Sequence, residues 1–392
     1  MKEMYLKFKT ELLESCVPFW LEHSVDKEFG GILNCLDRTG KVYSEDKSVW
    51  MQGRAGWMFS YLYNNINKDP AYLEFAKSCI DFARAHCIDA DGRMFFTVTR
   101  EGKPLRKRRY WFSESFYCIS NAEYFMATAD VEYLAEAIKY FDLVYGIYCD
   151  PSTDPFKITP KTCVETRSTK SLAEPMILLN MASIMRQADG RNYNKYDRII
   201  TGLIADIKCF HKSEYGAMFE SVDSQTNQPI LNSAPCRVIN PGHYMECAWF
   251  MLEEAIARKD TELADFSAKV FTEAYTRGWD CEYGGITYFK DVLGLLVEAY
   301  EHDMKLWWPH NEAAIGSLML YRYTREKRYL EIFQQVTDYA FEHFSDPEYG
   351  EWFGYLRRDG KPTEPPCKGH TYKGPFHVMR MLAKCMLLME DM

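Results

Sequence analysis

The sequence predicts an all-α fold, an (α/α)6 barrel of six helical hairpins with short β excursions between them. Two observations carry this prediction. Apolar residues recur at helical spacing in twelve stretches along the 392 residues. Between these stretches, a short segment with a glycine and aromatic residues returns at nearly even intervals, which is typical of repeat architectures.

The helical spacing is clearest in residues 70–85, where Tyr72, Phe75, Cys79 and Phe82 fall on one stripe. Such a stripe is typical of a helix that packs one face against a core. We expect twelve helices, over residues 3–24, 48–66, 70–88, 112–128, 131–148, 170–188, 192–210, 243–258, 261–277, 305–324, 327–344 and 372–390.

The glycine segments mark the repeat. They read EFGGI, ADGRMFF, EYGAMFE, EYGGITYF and EYGEWFGYL, with Gly30, Gly92, Gly216, Gly284 and Gly350. One interval is twice the others, so we expect a degenerate sixth copy near Asp154, in CDPSTDPFKITP. An open α-solenoid is the alternative, but solenoid repeats usually share more sequence than these do. With no Pro/Ser-rich linker in the chain, we expect residues 1–392 to form a single barrel domain.

Composition limits the possible partners. The chain is 47% hydrophobic and 15% aromatic, which excludes a disordered protein. The net charge is −9, and the only dense basic stretch is residues 100–109, which we expect to be a solvated loop. A nucleic-acid partner requires a larger basic face, so none is expected.

The cysteines and the N-terminus indicate a cytoplasmic protein. Thirteen scattered cysteines, an odd number without a CxxC pair, fit neither a disulfide framework nor a zinc site. The N-terminal MKEMYLKFKTELLE has charges where a signal peptide needs an apolar run. No apolar run is long enough for a membrane span, so no membrane association is expected.

Four segments place polar and charged groups among large aromatic side chains, which is unusual for structural helices. They are KSVWMQGRAGW (47–57), NPGHYMECAW (240–249), KLWWPHNEA (305–313) and KGH to KGPFHVMR (368–380). Each lies at or near the start of the first helix of a predicted hairpin. In a barrel of this kind the four segments would therefore converge on one pocket.

The spacing within these segments favours acid/base chemistry. His243 and Glu246 are three residues apart and share a helix face, and so do His377 and Arg380. Two further candidates, Arg54 and Glu312, belong to the other two segments, and Trp50, Trp57, Trp249, Trp307 and Trp308 offer flat surfaces for sugar rings. A single histidine or tryptophan is more often structural, so the prediction depends on the joint placement.

Other chemistries fit less well. His243, Glu246, His310, Glu312 and His377 include metal-ligand types, but HExxH is absent and we expect no catalytic metal. Neither GxGxxG nor a P-loop is present, so nucleotide-cofactor chemistry has no support. A glycoside hydrolase could use Glu220, Glu246 and Glu312, but the histidines and arginines would then have no role. A pure binding protein would not need the polar cluster.

The four segments resemble the hallmark segments of the N-acylglucosamine 2-epimerase family, one branch of which is also called renin-binding protein. The resemblance spans residues 5–390. LAEPMILLN, which ends at Asn180, and FHVMR, which ends at Arg380, are similar to the N-acyl branch. Cellobiose 2-epimerases and aldose-ketose isomerases of the same superfamily remain the alternative.

The resemblance implies an (α/α)6 barrel, often a homodimer, that interconverts N-acetylglucosamine and N-acetylmannosamine. The family's catalytic residues correspond to Arg54, His243, Glu312, His377 and Arg380, and Glu246, Trp308, Trp50 and Asn180 are the expected substrate-binding residues. No cofactor is expected for the chemistry, although ATP is an allosteric activator of several members.

The chemistry suggests a hypothesis for the mechanism. Removing the C2 proton of the open-chain sugar requires a base with a pKa near neutral, and inversion requires an acid on the opposite face. His243 and His377 would be this pair, and Arg54 and Arg380 would hold the developing oxyanion. Glu312, with Glu246, would orient a histidine. A mechanism with one base remains open.

Overall fold

Helices dominate the computed structural model, which describes residues 1–108, 110–157, 162–390 and 392. The α-helices are α1 (Lys2–Thr10), α2 (Val17–His23), α3 (Val49–Asn65), α4 (Pro70–His86), α5 (Phe112–Thr128), α6 (Val131–Cys149), α7 (Ala173–Ala188), α8 (Tyr193–Lys208), α9 (Pro241–Arg258), α10 (Thr261–Gly278), α11 (Trp307–Thr324), α12 (Lys327–His343) and α13 (His377–Glu390). A π-helical turn, Glu11–Cys16, joins α1 to α2, so these two form the first of the twelve predicted helices.

The helices form two concentric rings. The inner ring contains α3, α5, α7, α9, α11 and α13, each packed against the next, and α13 also contacts α3. The helices α4, α6, α8, α10 and α12 each pack outside the inner helix that precedes them, and α1 packs against α13. The prediction of a closed (α/α)6 barrel is confirmed, and an open solenoid is excluded because the last inner helix meets the first.

Burial follows from the sequence of each helix. In α8, Ile200, Leu203 and Ile207 lie on one buried face, whereas the opposite face is polar and exposed. In α11, by contrast, every residue from Trp307 to Leu320 is buried. A helix that is apolar on one face is typical of the surface, and a helix that is buried on all sides is typical of the interior. Helix α8 of the outer ring is of the first kind, and helix α11 of the inner ring is of the second.

The strands are short and antiparallel. They are β1 (Cys35–Leu36), β2 (Val42–Ser44), β3 (Lys47–Ser48), β4 (Thr97–Val98), β5 (Pro104–Arg106), β6 (Thr169–Ser171), β7 (His211–Lys212), β8 (Ala217–Met218), β9 (Ser221–Asp223), β10 (Val238–Ile239), β11 (Lys290–Asp291), β12 (Lys305–Leu306) and β13 (Tyr355–Leu356). β3–β4, β6–β9, β10–β11 and β12–β13 join consecutive repeats beside the N-terminal ends of the inner helices. A bridge between Asp37 and Cys367 joins the last repeat to the first.

The structure corrects three predicted helix starts. α7 begins at Ala173 rather than at 170, because Thr169–Ser171 pairs with β9. α11 begins at Trp307 rather than at 305, because Lys305–Leu306 pairs with β13. α13 begins at His377 rather than at 372. In the first two cases the backbone groups bond to the next repeat instead of to their own helix.

One cluster of charges occurs three times at this end of the barrel, and we call it the ring clamp. In each copy a buried aspartate after an outer helix binds a buried lysine before the next inner helix, and an arginine from a neighbouring hairpin. The copies are Asp26 with Lys47 and Arg100, Asp280 with Lys305 and Arg358, and Asp346 with Lys368 and Arg38. A buried charge is tolerated only when it is paired in this way.

The third clamp spans the seam of the ring, since Arg38 precedes α3 and Asp346 follows α12. Arg38 donates to both oxygens of Asp346 at 2.7 and 3.0 Å. Burial would raise the pKa of Asp346, but Arg38 and Lys368 lower it to about 2. The last repeat is therefore joined to the first by the same kind of ion pair that joins consecutive repeats.

Two sequence features extend beyond the described residues. The expected sixth segment, CDPSTDPFKITP, lies between α6 and α7 as the repeat requires, but residues 158–160 of it are outside the described residues. In the basic stretch, Arg109 is also outside them. Lys107 of that stretch pairs with Asp89 and Asp91, and Arg108 reaches the central cavity, so the stretch is only partly a solvated loop.

All thirteen cysteines are free thiols. Within the described residues, no helix is both long and apolar enough to cross a bilayer.

Candidate active site

A cavity of about 730 Å³ opens at the N-terminal ends of the inner helices. Eight of the nine site residues predicted from the sequence line it: Trp50, Arg54, Asn180, His243, Glu246, Trp308, His377 and Arg380. The ninth, Glu312, is completely buried and lies directly behind His377. The four polar segments therefore meet at one cavity in the structure, as the sequence predicts.

The NPGH segment forms the start of α9 and places His243 in its first turn. Asn240 caps α9, because its Oδ1 accepts hydrogen bonds from the backbone N–H groups of Gly242 and His243. Pro241 occupies the first helical position, where no N–H is needed. A methyl group on Gly242 would lie 2.6 Å from Cη2 of Trp308, so only glycine lets this indole approach the helix.

His243 is paired with a carboxylate that lies before α9. Its Nδ1 lies 2.9 Å from Oε2 of Glu220, so Nδ1–H donates, and Nε2 makes no hydrogen bond to the residues that the structure describes. Burial would lower the pKa of His243, but the charge and hydrogen bond of Glu220, with help from Glu246 and Glu312, raise it. This imidazole is therefore biased towards its protonated form.

His377, the first residue of α13, has the opposite bias. Its Nδ1 lies 2.7 Å from Oε1 of Glu312, which again leaves Nε2 free. Burial, together with the charges of Arg380 and Arg54, holds the pKa of His377 well below the ordinary histidine value. This imidazole is therefore neutral at physiological pH, which is the state in which it can accept a proton.

Both histidines contact the same indole. The ring centres of His243 and Trp308 are 5.0 Å apart, and those of Trp308 and His377 are 5.9 Å apart. Two titratable groups in one cavity whose pKa values are shifted apart are the arrangement expected of an acid and a base.

Arg380 lies between two carboxylates. Its Nη2 donates to Oε1 of Glu246 at 2.7 Å and lies 2.8 Å from Oε1 of Glu312. Burial would lower the pKa of Arg380, but Glu312 and Glu246 outweigh it and raise the pKa.

Glu246, Glu312 and His377 are also the one trio, among the described residues, whose ligand atoms lie close enough to hold a metal, within 4.8 Å of one another. The guanidinium of Arg380 already binds both carboxylates of this trio, and so supplies the positive charge that a metal would bring.

Arg54 provides the second cation. Its Nη1 donates to the carbonyl of Tyr372 at 3.1 Å, and its guanidinium lies 4.2 Å from the centre of the Phe116 ring. Burial lowers the pKa of Arg54 to about 9, so the group is still charged at neutral pH. Nε of Arg54 is buried and has no hydrogen-bond partner among the described residues.

The remaining wall is mostly apolar or aromatic. Trp50 packs edge-on against Phe96 and Phe116, which fixes its indole at the cavity wall. Asn180 lies on α7 beside Ile177 and Met181, and all three line the cavity. A flat aromatic wall with a few polar groups is typical of a pocket for a sugar-sized ligand.

The chain is similar to known sugar 2-epimerases. Residues 30–379 match the family model described as N-acylglucosamine 2-epimerase (GlcNAc 2-epimerase). N-acylglucosamine 2-epimerase from Bos taurus is 37% identical over 393 aligned residues, which cover 97% of this chain and 90% of that protein. Cellobiose 2-epimerase from Bacteroides fragilis is 23% identical, with 96% of each chain covered.

The chain belongs to the N-acylglucosamine 2-epimerase family. The solved structure of cellobiose 2-epimerase from Bacillus thermoamylovorans B4167 has the same fold, with a TM-score of 0.86 at 19% identity, and 99% of this chain and 100% of that one covered.

In this N-acylglucosamine 2-epimerase family member, the partner of His243 is not apparent from the four segments. Glu220 enters the sequence argument only as a carboxylate of the hydrolase alternative. It is, however, the last residue of EYGAMFE, four residues after Gly216. The residues in the same place after Gly92 and Gly284 are Phe96 and Tyr288, and both lie near the cavity. An acidic residue at that repeat position is a signal that could identify Glu220.

Proposed function

We propose that the protein is an N-acylglucosamine 2-epimerase, an isomerase that interconverts N-acetylglucosamine and N-acetylmannosamine by ring opening and proton transfer at C2. The observation that carries the proposal is the pair His243 and His377, in one cavity, with pKa values shifted in opposite directions. The relative from Bos taurus, named N-acylglucosamine 2-epimerase, is more similar than the cellobiose 2-epimerase, and this favours the N-acyl sugar.

The reaction begins with the open-chain aldehyde, whose C2 proton is acidic because the anion is delocalised onto O1. Nε2 of neutral His377 accepts this proton. The bond electrons of C2–H form the C1–C2 double bond of the enolate, and the carbonyl electrons move onto O1. The charge that develops on His377 is stabilised by Glu312, which accepts from its Nδ1–H.

The negative charge on O1 requires cations in place before the reaction starts. Arg54 and Arg380 both line the cavity and are charged, and Arg380 is buried. Positive groups held by the fold stabilise an oxyanion strongly, because they do not need to reorganise when it forms. We assign this role to them, and ring stacking and orientation of the sugar to Trp50, Trp308, Glu246 and Asn180.

Protonated His243 then delivers a proton from Nε2 to the other face of C2, which inverts the centre. The product leaves His377 protonated and His243 neutral, which is the state required for the reverse reaction. Solvent exchange returns both imidazoles to the resting state. In the resting state, Glu220 therefore favours the protonated form of His243, and Arg380 favours the neutral form of His377.

We further propose that residues 1–392 act as one catalytic barrel domain in the cytoplasm and assemble as a homodimer. The chemistry uses side chains alone and needs no redox cofactor, and ATP would act only as an allosteric activator. No nucleic acid or membrane partner is proposed.

Proton NMR in D2O tests the function. Purified protein is incubated with N-acetylglucosamine in the presence of EDTA, with and without ATP, and early time points are compared. The two-histidine mechanism predicts N-acetylmannosamine with deuterium at C2, while the remaining substrate keeps its proton. A His377→Asn variant, matched in size but without a base, should give neither product nor exchange.

Other outcomes assign the protein differently. Early product that retains its C2 proton would contradict the two-base mechanism and indicate one base that returns the same proton. Absence of any product would contradict the N-acyl substrate. Mannose, glucose and cellobiose would then be tested in the same way, and turnover of one of them would place the protein with the cellobiose 2-epimerases or the aldose-ketose isomerases.

A further inference from the structure

Trp249 lies outside the cavity but contacts its machinery. It is on α9, in the third turn after Asn240, and only 1% of its surface is exposed. Its Nε1–H donates to Oε2 of Glu312 at 2.9 Å. Because an indole N–H is only a donor, this bond holds the carboxylate as an acceptor.

The two oxygens of Glu312 have separate partners. Oε1 accepts from Nδ1–H of His377 at 2.7 Å and lies 2.8 Å from Nη2 of Arg380. Oε2 bonds to Trp249, which is the only donor to that oxygen in the described part of the chain. A carboxylate held at both oxygens cannot rotate about its last bond, so the direction of Oε1 is fixed by the indole.

The indole itself is held rigidly. The guanidinium carbon of Arg380 and Nζ of Lys384 lie 5.2 and 4.9 Å from its ring centre, and Lys384 is anchored to Glu253 at 2.5 Å. Cations near the face of an indole are attracted to it, so these two contacts help to hold the ring in place. Trp249 also packs edge-on against Phe250, with ring centres 4.3 Å apart.

Gly316 lies on α11, one turn after Glu312. A methyl group there would lie 2.6 Å from the Phe271 ring of α10 but at an ordinary contact distance, 3.6 Å, from Cβ of Trp249. The glycine therefore lets α10 pack closely against α11 beside the indole.

We propose that Trp249 is a positioning residue for the base His377, acting through Glu312. The inference rests on the proposed function, because it assigns to His377 the removal of the C2 proton. The indole fixes Glu312 so that Oε1 accepts from Nδ1–H, and this keeps Nε2 of His377 unprotonated and turned towards the substrate. Such a residue affects the chemical step and leaves binding of the sugar unchanged.

The test is Trp249→Phe, which keeps an aromatic ring but removes the N–H donor together with part of the indole. We expect kcat to fall by ~10–100-fold, the range typical of residues that orient a reacting group through a second one. KM should stay within about twofold, because no group that touches the sugar changes. The substrate is the sugar that the wild type epimerises, so failure of the proposed function appears in the wild type and failure of this inference appears only in the variant.

Trp352→Phe is the matched control. Its Nε1–H donates to Oε1 of Glu11 at 2.8 Å, and the side chain is fully buried, but the pair lies away from the cavity. Both variants should lose similar stability in urea denaturation, and only Trp249→Phe should lose kcat. If Trp249→Phe does not fold, Trp249→Met, which is also apolar and has no comparable donor, is measured instead.

A double mutant separates positioning from a general structural effect. Glu312→Gln removes the group through which Trp249 acts, so adding Trp249→Phe should cost little further activity. Wild-type kcat in Trp249→Phe would overturn the proposal. The proposal would also be overturned if the fold-loss of kcat in the double variant equalled the product of the losses in the two single variants. A change in Trp249→Phe that appeared mainly in KM would overturn it as well.

Discussion

Replacing Glu220 with glutamine should lower the pKa of His243 and shift the pH dependence of the reaction. The carboxylate is 2.9 Å from Nδ1, and the two side chains are 27% and 19% exposed for His243 and Glu220 respectively, so solvent screens the pair only weakly. Burial by itself lowers the pKa of His243. Without the charge of Glu220, burial is opposed only by the more distant Glu246 and Glu312.

The size of the effect follows from the hydrogen bond. A hydrogen bond to a charged group contributes ~1.5–3 kcal/mol. One pKa unit corresponds to ~1.4 kcal/mol, so the change is equivalent to ~1–2 pH units. His243 acts as the acid when protonated, and activity is lost as pH rises through its pKa. The alkaline limb of kcat/KM should therefore move down by ~1–2 pH units in Glu220→Gln.

The assay is initial-rate epimerisation across the pH range, with Glu273→Gln as the control. Glu273 pairs with Nε2 of His211 at 2.8 Å, outside the cavity, so this variant removes the same kind of bond without touching the site. Its pH profile should match the wild type. An alkaline limb that stays in place or moves up in Glu220→Gln would refute the assignment of His243 as the acid.

Two further substitutions test the architecture. Gly242→Ala should displace Trp308 and cost ~1–3 kcal/mol of folding free energy in urea denaturation, with a fall in kcat/KM, because of the 2.6 Å contact. Gly202→Ala on α8, where nothing lies within 4 Å, should do neither. Asp346→Asn should cost ~3–5 kcal/mol because it leaves Lys368 buried without its carboxylate. This cost should be present above about pH 4, the ordinary aspartate value, and should shrink as pH falls towards about 2. Asp359→Asn, which breaks an exposed pair with Lys361, should leave the stability unchanged in the same measurement.

The sequence predicts the helices well because each outer helix of the barrel needs one apolar face, and the spacing of apolar residues along the chain reveals such a face. An outer helix such as α12 needs one apolar face, and Phe333, Val336 and Ala340 provide it. Helix starts are harder to predict, since Thr169–Ser171 and Lys305–Leu306 pair with strands more than 45 residues away in the chain. No local pattern contains those partners.

The residues of the site also fall into those that the sequence predicts and those that it does not. His243 and His377 are predictable because each begins an inner helix within a polar, aromatic segment. Glu220 and Trp249 act through contacts between elements, so spacing along the chain does not reveal them.

His310 shows the opposite case, in which a metal-ligand type in a polar segment is structural. Its Nε2 accepts from the backbone N–H of Ile286 at 2.8 Å and its Nδ1–H donates to the carbonyl of Leu306 at 2.7 Å. Burial lowers the pKa of His310 to about 3, so it stays neutral and has no nitrogen left for a ligand.

The seam between the last repeat and the first has the same contacts as the other junctions. Arg38 binds Asp346 across it, Asp37 pairs with Cys367, and the hydroxyl of Tyr5 in α1 lies 3.1 Å from the carboxylate of Glu390 in α13. The order of the hairpins around the barrel is therefore independent of where the polypeptide is cut. A circular permutant that links α13 to α1 and opens a surface connection elsewhere would give every helix the same neighbours, and evolution could have shifted the termini of such a ring without rebuilding its centre.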